Sequence, residues 1–152
     1  MKIAIGCDHA AVEMKDAVAA LLTASGLHVE DMGTRGKDSV DYPDFGERVA
    51  RAVASGEADR GILICGTGIG MSIVANKVPA VRAALCNEPL SARMSRLHND
   101  ANVLVMGARL IGPAMAADIV RTWLETPFEG GRHALRLEKI TRMEGKAGTH
   151  GP

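Results

Sequence analysis

Short apolar runs alternate with longer stretches of mixed character through most of the chain. Residues 2–6 form a β-rich run, and residues 10–24 then place Val12, Val18, Leu21 and Leu22 where one helical stripe can be buried. Gly26 stops that helix. Residues 27–30 make a poorer strand, suited to an edge, and the polar residues 33–43 form a loop before a helix over 45–54. Residues 61–65, Gly-Ile-Leu-Ile-Cys, are the best central strand. A helix over 71–76, a strand over 80–86, a helix over 88–97 with Pro89 in its first turn and a strand over 102–106 follow. Pro113 opens a helix that continues to about residue 124, with Ile119, Val120, Trp123 and Leu124 available for burial.

Strands alternating with helices in this way predict an α/β fold, a doubly wound, Rossmann-like five-stranded parallel sheet with helices on both faces. Right-handed crossovers restrict the topology, and an order such as 2-1-3-4-5 opens a ligand crevice at the carboxyl ends of strands 1 and 3. Beyond Pro127, Gly130 and Gly131, residues 133–144 predict a last helix that is partly apolar at Leu135, Leu137 and Ile140. It has no strand to cover and is expected to reach over a neighbouring subunit. Residues 1–144 are expected to form one domain, with the polar, glycine-rich residues 145–152 as a fraying tail.

With only 3% aromatic residues, the core must be built from Ala, Val, Leu, Ile and Met, which suits helices packed closely on a sheet. A formal net charge of zero argues against a nucleic-acid partner and leaves enough basic residues near the end of the chain for one phosphate. The three cysteines, Cys7, Cys65 and Cys86, show neither metal spacing nor a secretory disulfide pattern. Without a signal-like start or a membrane-length apolar run, a soluble, cytoplasmic protein with no membrane partner is expected.

The residues that could carry chemistry are expected to converge on one edge of the sheet, and the densest of them follow strand 3, where Cys65 leads into Gly66-Thr67-Gly68-Ile69-Gly70. A free cysteine is more often a buried structural thiol, yet this glycine-rich turn puts a row of N–H groups beside it, favouring an ionised thiol and a bound oxyanion. The turn is not a dinucleotide fingerprint, because it follows strand 3, and the chain has no Walker lysine pattern; no nucleotide cofactor is expected. Cys7-Asp8-His9 ends strand 1. It reads either as a core thiol, a helix cap and a surface histidine, or as a crevice where Asp8 meets sugar hydroxyls and His9 an anion. His98-Asn99-Asp100 reads as a surface turn or as the site of a neutral-pH proton carrier at His98. Tyr42 can reach a substrate from the loop before the second helix. Arg109, Arg132 and Arg136 are candidate anion ligands, the last two also readable as a solvated helix face.

Taken together, Gly6-Cys-Asp-His9, Asp41-Tyr-Pro43, the 61–70 run, Ala75-Asn-Lys77, His98-Asn-Asp-Ala-Asn102 and Gly130-Gly-Arg-His133 closely resemble the ribose-5-phosphate isomerase type B family. The likeness extends from Lys2 to about Met143. It implies an aldose-ketose isomerase acting on a phosphorylated sugar, without metal or organic cofactor, as a homodimer or dimer of dimers with shared active sites. It implies Cys65 as the base between C1 and C2, Thr67 and the N–H groups of Gly66, Gly68, Ile69 and Gly70 around the enediolate, and His98 in ring opening. Asp8 would lie near the ring hydroxyls, Asn99 would place the open chain, and His9, Arg109, Arg132 and Arg136 would surround the phosphate. Some members carry glutamate where this chain has Met71; with Cys65 present, the cysteine is the consistent base. Ribose 5-phosphate is the implied substrate, and a four- or six-carbon relative such as erythrose 4-phosphate or allose 6-phosphate is the alternative. A non-catalytic sugar-phosphate-binding module is the competing class. A Cys65 packed away from the crevice, with His98 exposed on another face, would favour it.

Overall fold

In a computed structural model, which describes residues 1–144, the apolar runs become β1 (Lys2–Cys7), β2 (His28–Asp31), β3 (Arg60–Cys65), β4 (Ala83–Leu85) and β5 (Val103–Gly107), all parallel. Between and after them lie α1 (Val12–Ala24), α2 (Tyr42–Ala54), α3 (Ile69–Ala75), α4 (Pro89–Asn99), α5 (Pro113–Glu125) and α6 (Arg132–Glu144). The tail expected to fray over 145–152 lies outside the described residues. Among those described, no helix is long and apolar enough to cross a membrane.

The strand order is β2-β1-β3-β5-β4, which corrects the expected 2-1-3-4-5 order. Burial explains the exchange. Val-Leu-Val-Met-Gly of β5 is buried at every position and takes the inner place, whereas Ala-Ala-Leu of β4 is short, partly open and suited to the edge. The crevice position between β1 and β3 is unaffected. Right-handed crossovers then put α1, α4 and α5 on one face, where Ile3, Ile5, Ile62, Ile64, Leu104 and Met106 meet Met14, Leu22, Ile119 and Trp123. The other face packs Ala4, Leu63, Cys65, Val103 and Val105 under α2 and α3. The two faces share each strand by period-two alternation.

Several boundaries differ from the expected ones for local reasons. Asp41 is the N-cap residue of α2 and Pro43 lies within its first two positions, so Tyr42 begins the helix instead of ending the loop. His98 and Asn99 occupy the last turn of α4, closed by Asp100 at φ 42°, and are not a free turn. The fourth strand starts only at Ala83, because Ala80 turns at φ 67° and the Arg82 N–H donates to Asn102 Oδ1 at 2.7 Å.

Candidate active site

The side chain of Cys65 emerges at the carboxyl end of β3 on the α2/α3 face and is 5% exposed. Its Sγ accepts the Gly68 N–H at 3.1 Å, and Thr67 Oγ1 accepts the Ile69 N–H at 3.3 Å. Two of the N–H groups expected to face substrate are therefore used to stiffen the turn. The Gly70 and Met71 N–H groups, in the first turn of α3, are the ones a helix start leaves without an intrahelical partner. Gly68 has φ 79°, and a Cβ there would collide with Leu85 Cδ1 and lie 3.0 Å from the Met106 carbonyl carbon, so only glycine fits.

Three other elements wall this turn. Arg109, just past β5, donates its N–H to the Gly66 carbonyl at 2.9 Å and lays its guanidinium over Gly66, 3.3 Å from where a Cβ would stand. Tyr42 covers Gly70 so closely that a Cβ there would lie 2.6 Å from the ring. Past β1, Asp8 is 8% exposed, and its Oδ1 accepts the Ala10 N–H at 3.0 Å, closing the turn before α1 as a cap would. Oδ2 has no hydrogen-bond partner among the described residues. His9 Nδ1 accepts the Val40 N–H at 3.2 Å. Beside His9 a recess of about 400 Å³ opens against the start of α1, with Lys37 and Pro113 on its rim. Cys7 lies on the opposite face of the sheet from Cys65, its thiol pushed up to about 12 by burial.

His98, Asn99, Arg132 and Arg136 are not at this edge. A helix between parallel strands runs back against them, so α4 ends where the strands begin. The residue 99–102 segment is tied there by Gly61 N–H to the Asn102 carbonyl at 2.9 Å and Arg82 Nε to the Asn99 carbonyl at 3.0 Å. The five rises of about 3.3 Å between the ends of a six-residue strand separate the two edges by roughly 17 Å. The candidate residues thus divide into two groups at opposite sheet edges of one chain, correcting the expectation that they converge at a single edge.

At the far edge the Glu129 N–H donates to the Leu97 carbonyl at 3.1 Å, and Gly130 and Gly131, at φ 72° and 54°, turn the chain into α6. His133 then stacks on His98 with ring centroids 4.2 Å apart and planes 11° from parallel. Glu129 Oε2 lies 3.9 Å from His98 Nε2 and 3.8 Å from His133 Nε2. Burial first, then the neighbouring His98, holds His133 below the ordinary histidine value, although Glu129 pulls the other way. Its buried Nε2 has no hydrogen-bond partner among the described residues. Arg132 and Arg136 are exposed one turn apart on α6, as their spacing implies. No local pattern assigns His133 or Glu129 a role, although the two glycines between them mark a sharp turn.

The ligand atoms of His98, Glu129 and His133 lie within 4.8 Å of one another, close enough to suggest a shared ion. Stacked rings do not suit one. An ion midway between the planes would sit about 2 Å out of each, the length of an entire metal–nitrogen bond.

A thiol held by a backbone N–H at a strand end, with a tyrosine and an arginine packed on the same turn and a carboxylate just past the neighbouring strand, defines an α/β enzyme for a small anionic substrate. Comparison with known proteins makes this specific. A family model described as Ribose/Galactose Isomerase matches residues 3–140. Ribose-5-phosphate isomerase B of Escherichia coli is 51% identical over 94% of this chain and 96% of its own. D-erythrulose-4-phosphate isomerase of Pectobacterium atrosepticum is 46% identical over 95% of each chain. The structure of Clostridium thermocellum ribose-5-phosphate isomerase B superposes with a TM-score of 0.96 at 57% identity, covering 97% of this chain and 99% of that one. The chain belongs to the ribose/galactose isomerase family and is a sugar-phosphate isomerase.

Proposed function

We propose that the protein interconverts ribose 5-phosphate and ribulose 5-phosphate at sites each assembled from two copies of the chain. The observation that carries this reading is the Cys65 sulfur, held by the Gly68 N–H at 3.1 Å where β3 turns into α3, beside the Gly70 N–H in the first turn of that helix. One copy supplies that thiol, Asp8, His9, Tyr42, Thr67 and Arg109. The other supplies His98, Asn99, Arg132 and Arg136 from its far sheet edge. A binding module would also keep Cys65 and His98 apart within one chain; membership of an isomerase family favours the shared site instead.

The chemistry follows from these placements. The partner's His98 moves the proton that opens the furanose. The Cys65 thiolate then takes the proton from C2 of the open aldose, and negative charge moves onto the C1 oxygen. Thr67 and the Gly70 N–H face that enediolate. A proton passes from O2 to O1, and the thiol returns its proton to C1, leaving a carbonyl at C2 and a thiolate ready for the next turnover. Arginines on both copies grip the phosphate without touching the reacting carbons, so their binding energy serves to place C1 and C2.

A four-carbon sugar phosphate is the second reading, favoured by the name of the Pectobacterium atrosepticum relative. Isomerisation rates on ribose 5-phosphate, D-erythrulose 4-phosphate and allose 6-phosphate separate the two. Ribose 5-phosphate is expected to have the highest kcat/KM, and Cys65→Ala to lower kcat by about a hundred- to ten-thousandfold. A variant that keeps its rate removes Cys65 as the base, and a preference for the four-carbon sugar replaces the substrate.

A further inference from the structure

The loop over 33–41, between β2 and α2, is fastened at both ends and little between. At its start the Thr34 N–H donates to the Cys7 carbonyl at 3.2 Å, and Gly33 lies so close to β1 that a Cβ would come 2.8 Å from the Cys7 nitrogen. In its middle Lys37 pairs with Glu13 at 2.9 Å, but both side chains are largely in solvent, where such pairs hold weakly. From Arg35 to Val40, among the described residues, the only backbone group hydrogen-bonded to the rest of the domain is the Val40 N–H, which donates to His9 Nδ1 at 3.2 Å. Two residues further on stands Tyr42, packed on Gly70. That length of chain spans at most about 7 Å, so Tyr42 cannot move independently of Val40.

We propose that His9 is a positioning residue that latches the 33–41 loop through Nδ1 and so holds Tyr42 against the Gly70 end of the enediolate cradle. Because Nδ1 is an acceptor, the neutral ring carries its proton on Nε2. A phosphate oxygen accepting from Nε2 selects the same tautomer, so substrate and loop strengthen each other's hold on one side chain. This second part rests on the phosphate placement proposed above; the latch itself does not.

The two halves of the imidazole can be replaced separately. In His9→Asn the amide oxygen falls where Nδ1 was and keeps an acceptor for Val40, but nothing reaches the Nε2 position. In His9→Gln the amide oxygen and nitrogen reach the Nε2 position, and the δ position holds only the amide carbon, which accepts no hydrogen bond. Amide hydrogen exchange at Val40, followed by NMR in the substrate-free full chain, is expected to be as slow in His9→Asn as in wild type. In His9→Gln it should be about two- to tenfold faster, the worth of one net hydrogen bond. Unchanged exchange in His9→Gln, or equal acceleration in both variants, overturns the latch. Ribose 5-phosphate should slow Val40 exchange further in wild type and not in His9→Asn; equal slowing in both overturns the coupling alone. His9→Gln should also lose KM discrimination between ribose 5-phosphate and D-erythrulose 4-phosphate more than it loses kcat, and the reverse pattern contradicts a positioning role. Failure of the substrate assignment appears separately, as a lack of turnover on ribose 5-phosphate with Val40 still protected.

Discussion

Cys65 differs from the other two thiols in what its sulfur faces. Cys7 and Cys86 are sealed in the α1/α5 side of the core, and burial pushes both thiols up, which keeps them protonated and inert. Cys65 instead has a backbone donor aimed at its sulfur, an arrangement that suits an anionic sulfur. A residue-scale consequence of a different kind follows from His133. Its folded-state value lies below that of the unfolded chain, about 6.5 for histidine, so the unfolded state takes up the proton first as pH falls. Stability contributed by the neutral ring is therefore complete above that value and is lost progressively below it. Urea midpoints should fall as pH is lowered through about 6.5, and His133→Gln should flatten this slope. An identical slope in the variant would remove His133 as its source.

At the scale of elements, the β3–α3 turn is where backbone geometry decides function. Gly68 needs a left-handed backbone and has no room for a methyl group, so Gly68→Ala should cost at least about 1–2 kcal/mol and displace the N–H that meets Cys65. Measured by denaturant unfolding and kcat together, both should fall; a variant of wild-type stability and rate would contradict the tight-turn account. This turn was legible in the sequence because a continuous apolar run ending in Cys-Gly-x-Gly reads as a buried strand that must turn at once. The starts of α2 and β4 were not read correctly, although Asp41-Tyr-Pro43 carries the cap-then-proline signal. In β4, a side chain twenty residues away, Asn102, takes the Arg82 N–H, which no local pattern reveals. The exchange of β4 and β5 was likewise present in their composition, since Ala-Ala-Leu is a weaker candidate for the centre than Val-Leu-Val-Met.

For the whole molecule, the decisive feature is that the motif residues stand at two opposite edges of one sheet. Their sequence motifs were visible, but grouping them at one edge overlooked chain direction: His98 ends a helix that runs back towards the strand starts, whereas Cys65 ends a strand. Leu135, Ile140 and Met143 leave much of α6 apolar and exposed beside the far group of residues, a surface that the proposed second copy would cover. The most direct test of the shared site is complementation. Cys65→Ala and His98→Gln chains, each inactive or nearly so alone, are unfolded, mixed in equal amounts and refolded, and ribose 5-phosphate isomerisation is measured. Random pairing into dimers makes half of them mixed, each with one intact site, so activity should recover to roughly a quarter of wild type. Mixed dimers demonstrated by mass spectrometry that stay as inactive as the separate variants would contradict an active site built from two chains.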